Sequence, residues 1–235
     1  KVKKIYYGKS LDLYALYNGD ILHGSQFSEG GFSHFEPTTY YTRGSGIGLV
    51  LENHPKRLSG SGMRVGTVGL GVGTLAAYCQ QPDYFRFYEI NPAVVELAET
   101  TFSYLKNCKG QAEVALGDAR VSMEKELLKG RAQNFDILVV DAFTDDSIPV
   151  HLLTREAIEL YLAHLAGDGV MAMHISNRYV DLAPLLKKVA IEFGLETMTI
   201  KNAPMEHDGK AAVWVFLSRN DKVLGQEMVK KAALP

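Results

Sequence analysis

Several residues with the chemistry of a binding or reacting group stand directly behind short apolar runs. Gly69-Leu70-Gly71-Val72-Gly73 follows residues 64–68 and leads into an apolar stretch predicted to be helical through Tyr78. Glycines at such a point let backbone approach a ligand closely, and a helix N-terminus offers free N–H groups. The spacing is G-x-G-x-G, which favours a nucleoside-sulfonium site over the dinucleotide fingerprint. A glycine turn that serves only packing is the competing reading. Glu89 closes the next run, 20 residues after Gly69. A carboxylate there can accept hydrogen bonds from both hydroxyls of a ribose, unless it simply faces solvent.

Asp118, with Ala119, ends residues 112–116. It can take the amino group of an adenine, cap the helix that starts at Ala119, or do both. Behind residues 135–140, apolar apart from Asp136, come Asp141, Asp145 and Asp146. Three acids make an anionic mouth for a cationic substrate, and Asp141 is a candidate base for an attacking amine. A solvated acidic turn is the plainer reading of the same residues. His174, with Ser176, Asn177 and Arg178, closes residues 169–175, as a pocket residue or a hydrogen-bonded core histidine. The seven histidines show no ligand spacing, so no metal site is expected. Neither a G-x-S-x-G elbow nor a P-loop is present.

The elements that position these residues alternate in type. Residues 64–68, 85–90, 112–116, 135–140 and 169–175 read as strands, the fourth buried on both faces. Helices are predicted behind Asn91-Pro92, with Val94, Val95, Ala98, Phe102 and Leu105 on one face, behind Thr154, and over residues 182–193. Two final strands, near 196–200 and 212–217, flank Asp208-Gly209. This order describes an α/β fold with a doubly wound, mostly parallel sheet. Residues 1–60 read as a small β-rich appendage, and 61–235 as the sheet domain. In the appendage, Asn18-Gly19 turns a hairpin between residues 11–17 and 21–23, and Thr38 or Thr39 caps a helix toward Glu52.

Composition narrows the class. The 235 residues are 46% hydrophobic and 22% charged with a formal net charge of −2, which excludes fibrous, disordered and disulfide-scaffold chains. The near-neutral balance argues against a nucleic-acid partner. Cys79 and Cys108 are expected to be two reduced thiols of a cytoplasmic protein. No apolar run reaches the length of a membrane span.

Five stretches together resemble the polyamine aminopropyltransferase, or spermidine synthase, family. They are Leu22-His23-Gly24-Ser25-Gln26, Pro37-Thr38-Thr39-Tyr40-Tyr41, Gly117-Asp118-Ala119-Arg120, residues 141–155, and His174-Ile175-Ser176-Asn177-Arg178-Tyr179. The likeness is strongest to bacterial spermidine-synthase-like domains that stand alone or follow a multi-span membrane region. It implies a small N-terminal β domain on a Rossmann-like, class I S-adenosylmethionine-dependent transferase sheet. By position it implies donor contacts at Gln26 and Tyr40, the glycine loop around Gly69, Gly71 and Gly73, ribose binding at Glu89 and adenine binding at Asp118. Asp141 is implied as the group that activates the amine.

Three departures stand out. Val72 occupies the place of the family's loop aspartate, Tyr41 and Thr42 replace a His-Glu pair, and Ile148-Pro149-Val150-His151 replaces a Gly-Pro-Ala stretch. The expected activity is transfer of an aminopropyl group from a sulfonium donor to a small cationic amine in polyamine biosynthesis. The donor is S-adenosylmethionine or its decarboxylated form, and no metal is expected. Val72 motivates an alternative, methyl transfer or another reaction of intact S-adenosylmethionine. A non-catalytic nucleoside or polyamine sensor is the third reading. The resemblance also implies a homodimer. The lysine-rich start without Met is expected of a cytosolic domain cut from behind a membrane region.

Overall fold

In the computed structural model, which describes residues 1–7, 11–28, 34–142, 148–176, 180–206 and 208–234, the chain opens with three antiparallel strands. These are β1 (Val2–Tyr7), β2 (Leu11–Asn18) and β3 (Ile21–Phe27). The expected Asn18-Gly19 turn joins β2 to β3, with Gly19 at φ 57°. β1 escaped the sequence reading because Val2-Lys3-Lys4-Ile5 has little apolar alternation. Its pairing with β2, from Val2↔Leu16 to Tyr7↔Leu11, makes it a strand.

The helix expected behind Thr38 or Thr39 starts later. α1 spans Gly46–Asn53 and is capped by Ser45, whose Oγ accepts from the Gly48 amide at 3.2 Å. Thr38 and Thr39 are buried, and Thr38 Oγ1 donates to the Ser25 carbonyl. A short α2 (Pro55–Ser59) follows, with proline in its first turn.

The second sheet has seven strands: β4 (Arg64–Val68), β5 (Tyr84–Glu89), β6 (Gln111–Leu116), β7 (Phe135–Val140), β8 (Leu165–His174), β9 (Glu196–Asn202) and β10 (Ala212–Ser218). Their spatial order is β6-β5-β4-β7-β8-β10-β9. The first five run parallel, and β10 runs antiparallel to both β8 and β9. The strand order reverses between β4 and β7, so a ligand crevice is expected beyond their carboxyl ends. Every residue of β7 is buried, its apolar side chains between the two faces of the sheet and Asp136 paired with the Arg64 amide at 2.8 Å and Lys56 Nζ at 2.8 Å.

Alternation along the strands feeds two cores. Phe85, Phe87, Ile137, Val139 and Trp214 face one side with Ile47, Val50 and Leu51 of α1. Tyr88, Leu138, Val140, Met171 and Met173 face the other with Ile158 and Tyr161. The helices of the sheet region are α3 (Pro92–Thr100), α4 (Ala119–Leu128), α5 (Arg155–His164), α6 (Ala183–Phe193) and α7 (Glu227–Ala232). Thr154 caps α5 as read from sequence. α1 packs against β9, β10 and α7.

Four further expectations need correction. The helix expected behind the glycine loop ends at Tyr78 as read, but its turn over Thr74–Tyr78 is 3₁₀ and not α. α3 ends at Thr100, so Phe102 reaches the core from the following loop. β8 begins at Leu165, ahead of the expected Gly169, because Phe135↔Leu165 pairing extends it past a register shift. Cys79 and Cys108 are joined as a disulfide, where reduced thiols were expected. Their separation of 29 residues hides that the sheet brings the two Cα atoms to 5.0 Å. Among the described residues no helix is long and apolar enough to cross a membrane, and no group of side chains could hold a metal.

Candidate functional site

Beyond the carboxyl ends of β4, β5 and β7 lies a cleft of about 450 Å³, roofed by the β2–β3 hairpin. Its floor depends on glycine. Gly69 follows β4 at φ 97°, and a Cβ there would stand 2.5 Å from the Asp141 carbonyl oxygen. Only a residue without a side chain lets the ends of β4 and β7 approach so closely. Gly71 makes the same kind of approach to the carbonyl of His23 in β3. Val72 turns away and is buried, in contact distance of Gly24.

Glu89 is buried at the end of β5. Its Oε2 accepts from the Leu70 amide at 3.0 Å and its Oε1 from the Asn91 amide at 2.8 Å. The carboxylate therefore ties the glycine loop to the start of α3. Each oxygen still has lone-pair capacity for a further donor. Asp118 caps α4, with Oδ1 accepting from the Val121 amide at 2.9 Å. Its Oδ2 faces His151 Nε2 at 3.3 Å.

Asp141 and His174 meet at the centre. Nδ1 of His174 lies 2.6 Å from Asp141 Oδ1, and the two side chains are 3% and 9% exposed, respectively. An ionised carboxylate only accepts, so this contact places a proton on Nδ1. The imidazole stacks on Trp214 at 4.5 Å and meets the Tyr40 ring at 4.9 Å. His23 looks into the same cleft. Burial pushes its imidazole below the ordinary value, against the opposing pull of Asp141 and Glu89.

Of the sequence candidates, Tyr40, Gly69, Gly71, Glu89, Asp118, Ala119, Asp141 and His174 all line this cleft. Gln26 and Gly73 are not among the lining residues. The Gln26 amide is held by Ser103 and His34: Nε2 donates to Ser103 Oγ at 2.8 Å and to the His34 carbonyl at 3.0 Å, and Oε1 accepts from the Ser103 amide. Gly73 packs under Leu105. Asp145 and Asp146 lie outside the described residues, as do Asn177 and Arg178. Sequence reasoning assigned no chemistry to His23 or His151. The position of His151, ten residues behind Asp141 in the same strand-end loop, was the available signal.

A polyamine aminopropyltransferase of Vibrio vulnificus (strain CMCP6) is 31% identical over 131 residues, which are 56% of this chain and 41% of that protein. A probable spermidine synthase from Corynebacterium glutamicum ATCC 13032 superposes with a TM-score of 0.60 over 94% of this chain and 81% of that one, at 15% identity. The chain is thus similar in sequence to an aminopropyltransferase over about half its length, and similar in fold to a probable spermidine synthase. A spermidine synthase solved with the transition state analogue AdoDATO gives a TM-score of 0.55 at 17% identity, over 97% of this chain and 76% of that one. Human methyltransferase-like protein 13 in complex with SAH gives 0.54 at 17% identity, over 78% and 87% of the two chains. The sheet thus has the Rossmann-like methyltransferase fold expected from the sequence. A glutamyl-tRNA reductase of Shewanella amazonensis (strain ATCC BAA-1098 / SB2B) is also 30% identical over 142 residues, 58% of this chain and 30% of that protein. The chain spans less than half the length of these curated relatives. No family model matches it.

Proposed function

We propose that this cleft transfers an aminopropyl group from an S-adenosyl sulfonium donor to a small amine, releasing methylthioadenosine. The observation that carries the reading is the meeting of three carboxylates, Glu89, Asp118 and Asp141, with a glycine loop at one reversal of strand order. Such a lining suits a cationic donor and a cationic acceptor. The likeness to an aminopropyltransferase supports the same class of reaction.

The sulfonium supplies the electrophile, so the protein's work is binding, alignment and proton removal. Glu89 accepts from the ribose hydroxyls while its bonds to Leu70 and Asn91 keep its plane fixed. Asp118 Oδ2 and the backbone at Ala119 hold the adenine edge. The acceptor nitrogen attacks the carbon attached to sulfur, and the C–S bond breaks with its electron pair going to sulfur. The nitrogen's proton passes to Asp141. His174 holds one oxygen of that carboxylate, which leaves the other for the amine. Tyr40 packs against the same imidazole and limits where the donor's arm lies.

The test is mass spectrometry of products after incubation with S-adenosylmethionine or its decarboxylated form and a panel of amines. Methylthioadenosine with an alkylated amine supports the reading, and S-adenosylhomocysteine overturns it in favour of methyl transfer. Asp141→Asn should lower turnover by about 10²–10⁴-fold, the usual contribution of a positioned base. Undiminished turnover removes Asp141 from the mechanism.

A further inference from the structure

Tyr40 reaches the cleft from a backbone that is hard to hold. Thr39, immediately before it, is β-branched yet sits at φ 55°, in the left-handed region. What holds Thr39 comes from the far end of the chain. In the β9–β10 connection, the Asp208 carbonyl accepts from the Thr39 amide at 3.2 Å, and the Lys210 amide donates to the Thr39 carbonyl at 2.9 Å. Thr39 and Gly209 form an isolated parallel bridge between them.

The Asp208 side chain extends this contact to the N-terminal sheet. It is 3% exposed, with Oδ2 accepting from Ser25 Oγ at 2.7 Å and Oδ1 from Lys210 Nζ at 2.5 Å. Ser25 lies in β3, two residues after His23. Its hydroxyl also sits 3.1 Å from Thr38 Oγ1, and Thr38 Oγ1 donates in turn to the Ser25 carbonyl. The serine has one proton, and the shorter contact assigns it to the carboxylate. One buried carboxylate therefore joins β3, the Thr38-Thr39 segment and the β9–β10 connection.

We propose that Asp208 is a positioning residue that sets Tyr40 and His23 relative to Asp141, an inference that rests on the reading of this cleft as a transferase site. The route is short. Asp208 holds Thr39 through its backbone and Ser25 through its side chain; Thr39 fixes Tyr40, Tyr40 packs on His174, and His174 bonds Asp141. Charge is part of the device, because a carboxylate accepts from serine and lysine at once, whereas an amide in its place offers one acceptor oxygen. The nucleoside contacts at Glu89 and Asp118 share no partner with it.

Asp208→Asn tests this. Turnover should fall roughly ten- to a hundredfold, as expected when reacting groups are misplaced without being removed. Affinity for methylthioadenosine, read by calorimetry, should stay within about twofold, since uniform binding is untouched. Amide hydrogen exchange should rise over residues 38–41 while β4 and β7 keep their protection. Turnover and product affinity falling together would mark general destabilisation and overturn the proposal, as would unchanged turnover. Ser25→Ala removes the Asp208 contact to β3 together with the 3.1 Å contact to Thr38 Oγ1, leaves the backbone bonds of Thr39 in place, and should move the same readouts in the same direction, so a poorly folding Asp208→Asn protein does not end the test. The exchange measurement needs no turnover. If the unaltered protein is inactive with every donor, the transferase reading fails by itself, and unchanged exchange at 38–41 would then overturn the role of Asp208 separately.

Discussion

Asp118 illustrates how one side chain can cap a helix and still present an oxygen to a cleft. Its Oδ1 satisfies the Val121 amide at the start of α4, while its Oδ2 faces the cleft beside His151. Both roles were open in the sequence, because Gly-Asp-Ala before a helix is a capping pattern wherever it occurs. The two are separable. Asp118→Ala should cost about 1 kcal/mol of stability, the ordinary cost of a lost cap. Asp118→Asn keeps a capping oxygen and should leave the unfolding temperature close to that of the parent. Both should weaken adenosine binding in calorimetry, and an Asn variant that binds as tightly as the parent would remove Asp118 from the nucleoside site. Gln26 shows what the sequence leaves out. Its type and position resembled a donor contact, yet its amide is engaged by Ser103 and His34 from segments the sequence does not connect to it.

At the scale of elements, the strand ends were legible and the loops between them less so. Short apolar runs alternating with helical stretches identified five strands of a mostly parallel sheet, because burial on one or both faces is written into residue type. The glycine loop was legible as a loop, but its need for glycine comes from the neighbouring strand. Gly19 and Gly69 make this measurable, since both have positive φ. Nothing lies within 4 Å of a Cβ at Gly19, whereas at Gly69 it would meet backbone of Asp141 at 2.5 Å. Gly19→Ala should cost roughly 1–2 kcal/mol, the backbone penalty alone. Gly69→Ala should cost more, because β4 and β7 must also separate, and it should weaken adenosine binding. Equal losses in thermal unfolding of the two variants would contradict that account. The late start of α1 has a similar origin. Thr38 and Thr39 are good capping types, but burial against β3 and the β9–β10 connection commits them elsewhere.

For the whole molecule, acid stability follows from buried histidines. Burial pushes His164 and His54 below the ordinary value of 6.5. The neutral form of His164 is built in: Nδ1 accepts from the Gln133 amide at 3.2 Å, so Nε2 donates to the Met123 carbonyl at 3.0 Å. His54 Nδ1 likewise accepts from the Lys56 amide. With folded values below the unfolded one, the unfolded chain binds more protons as pH falls through 6.5. Their stabilisation is therefore complete above that pH and is lost progressively below it. Unfolding temperature should drop between pH 7.5 and 5.5, and His164→Gln should flatten part of that slope. A slope identical to the parent's would show that His164 does not contribute. The sequence by itself determined the class of fold, the strand ends and the acids Glu89, Asp118 and Asp141, because local burial patterns and residue chemistry carry that information. Only the tertiary structure decided that His23 and Tyr40 share the Asp141–His174 cleft, that Cys79 meets Cys108, and that Asp208 holds the segment before Tyr40. Those contacts join residues far apart in the chain, and their geometry is set by strand order and loop approach, which no local pattern records.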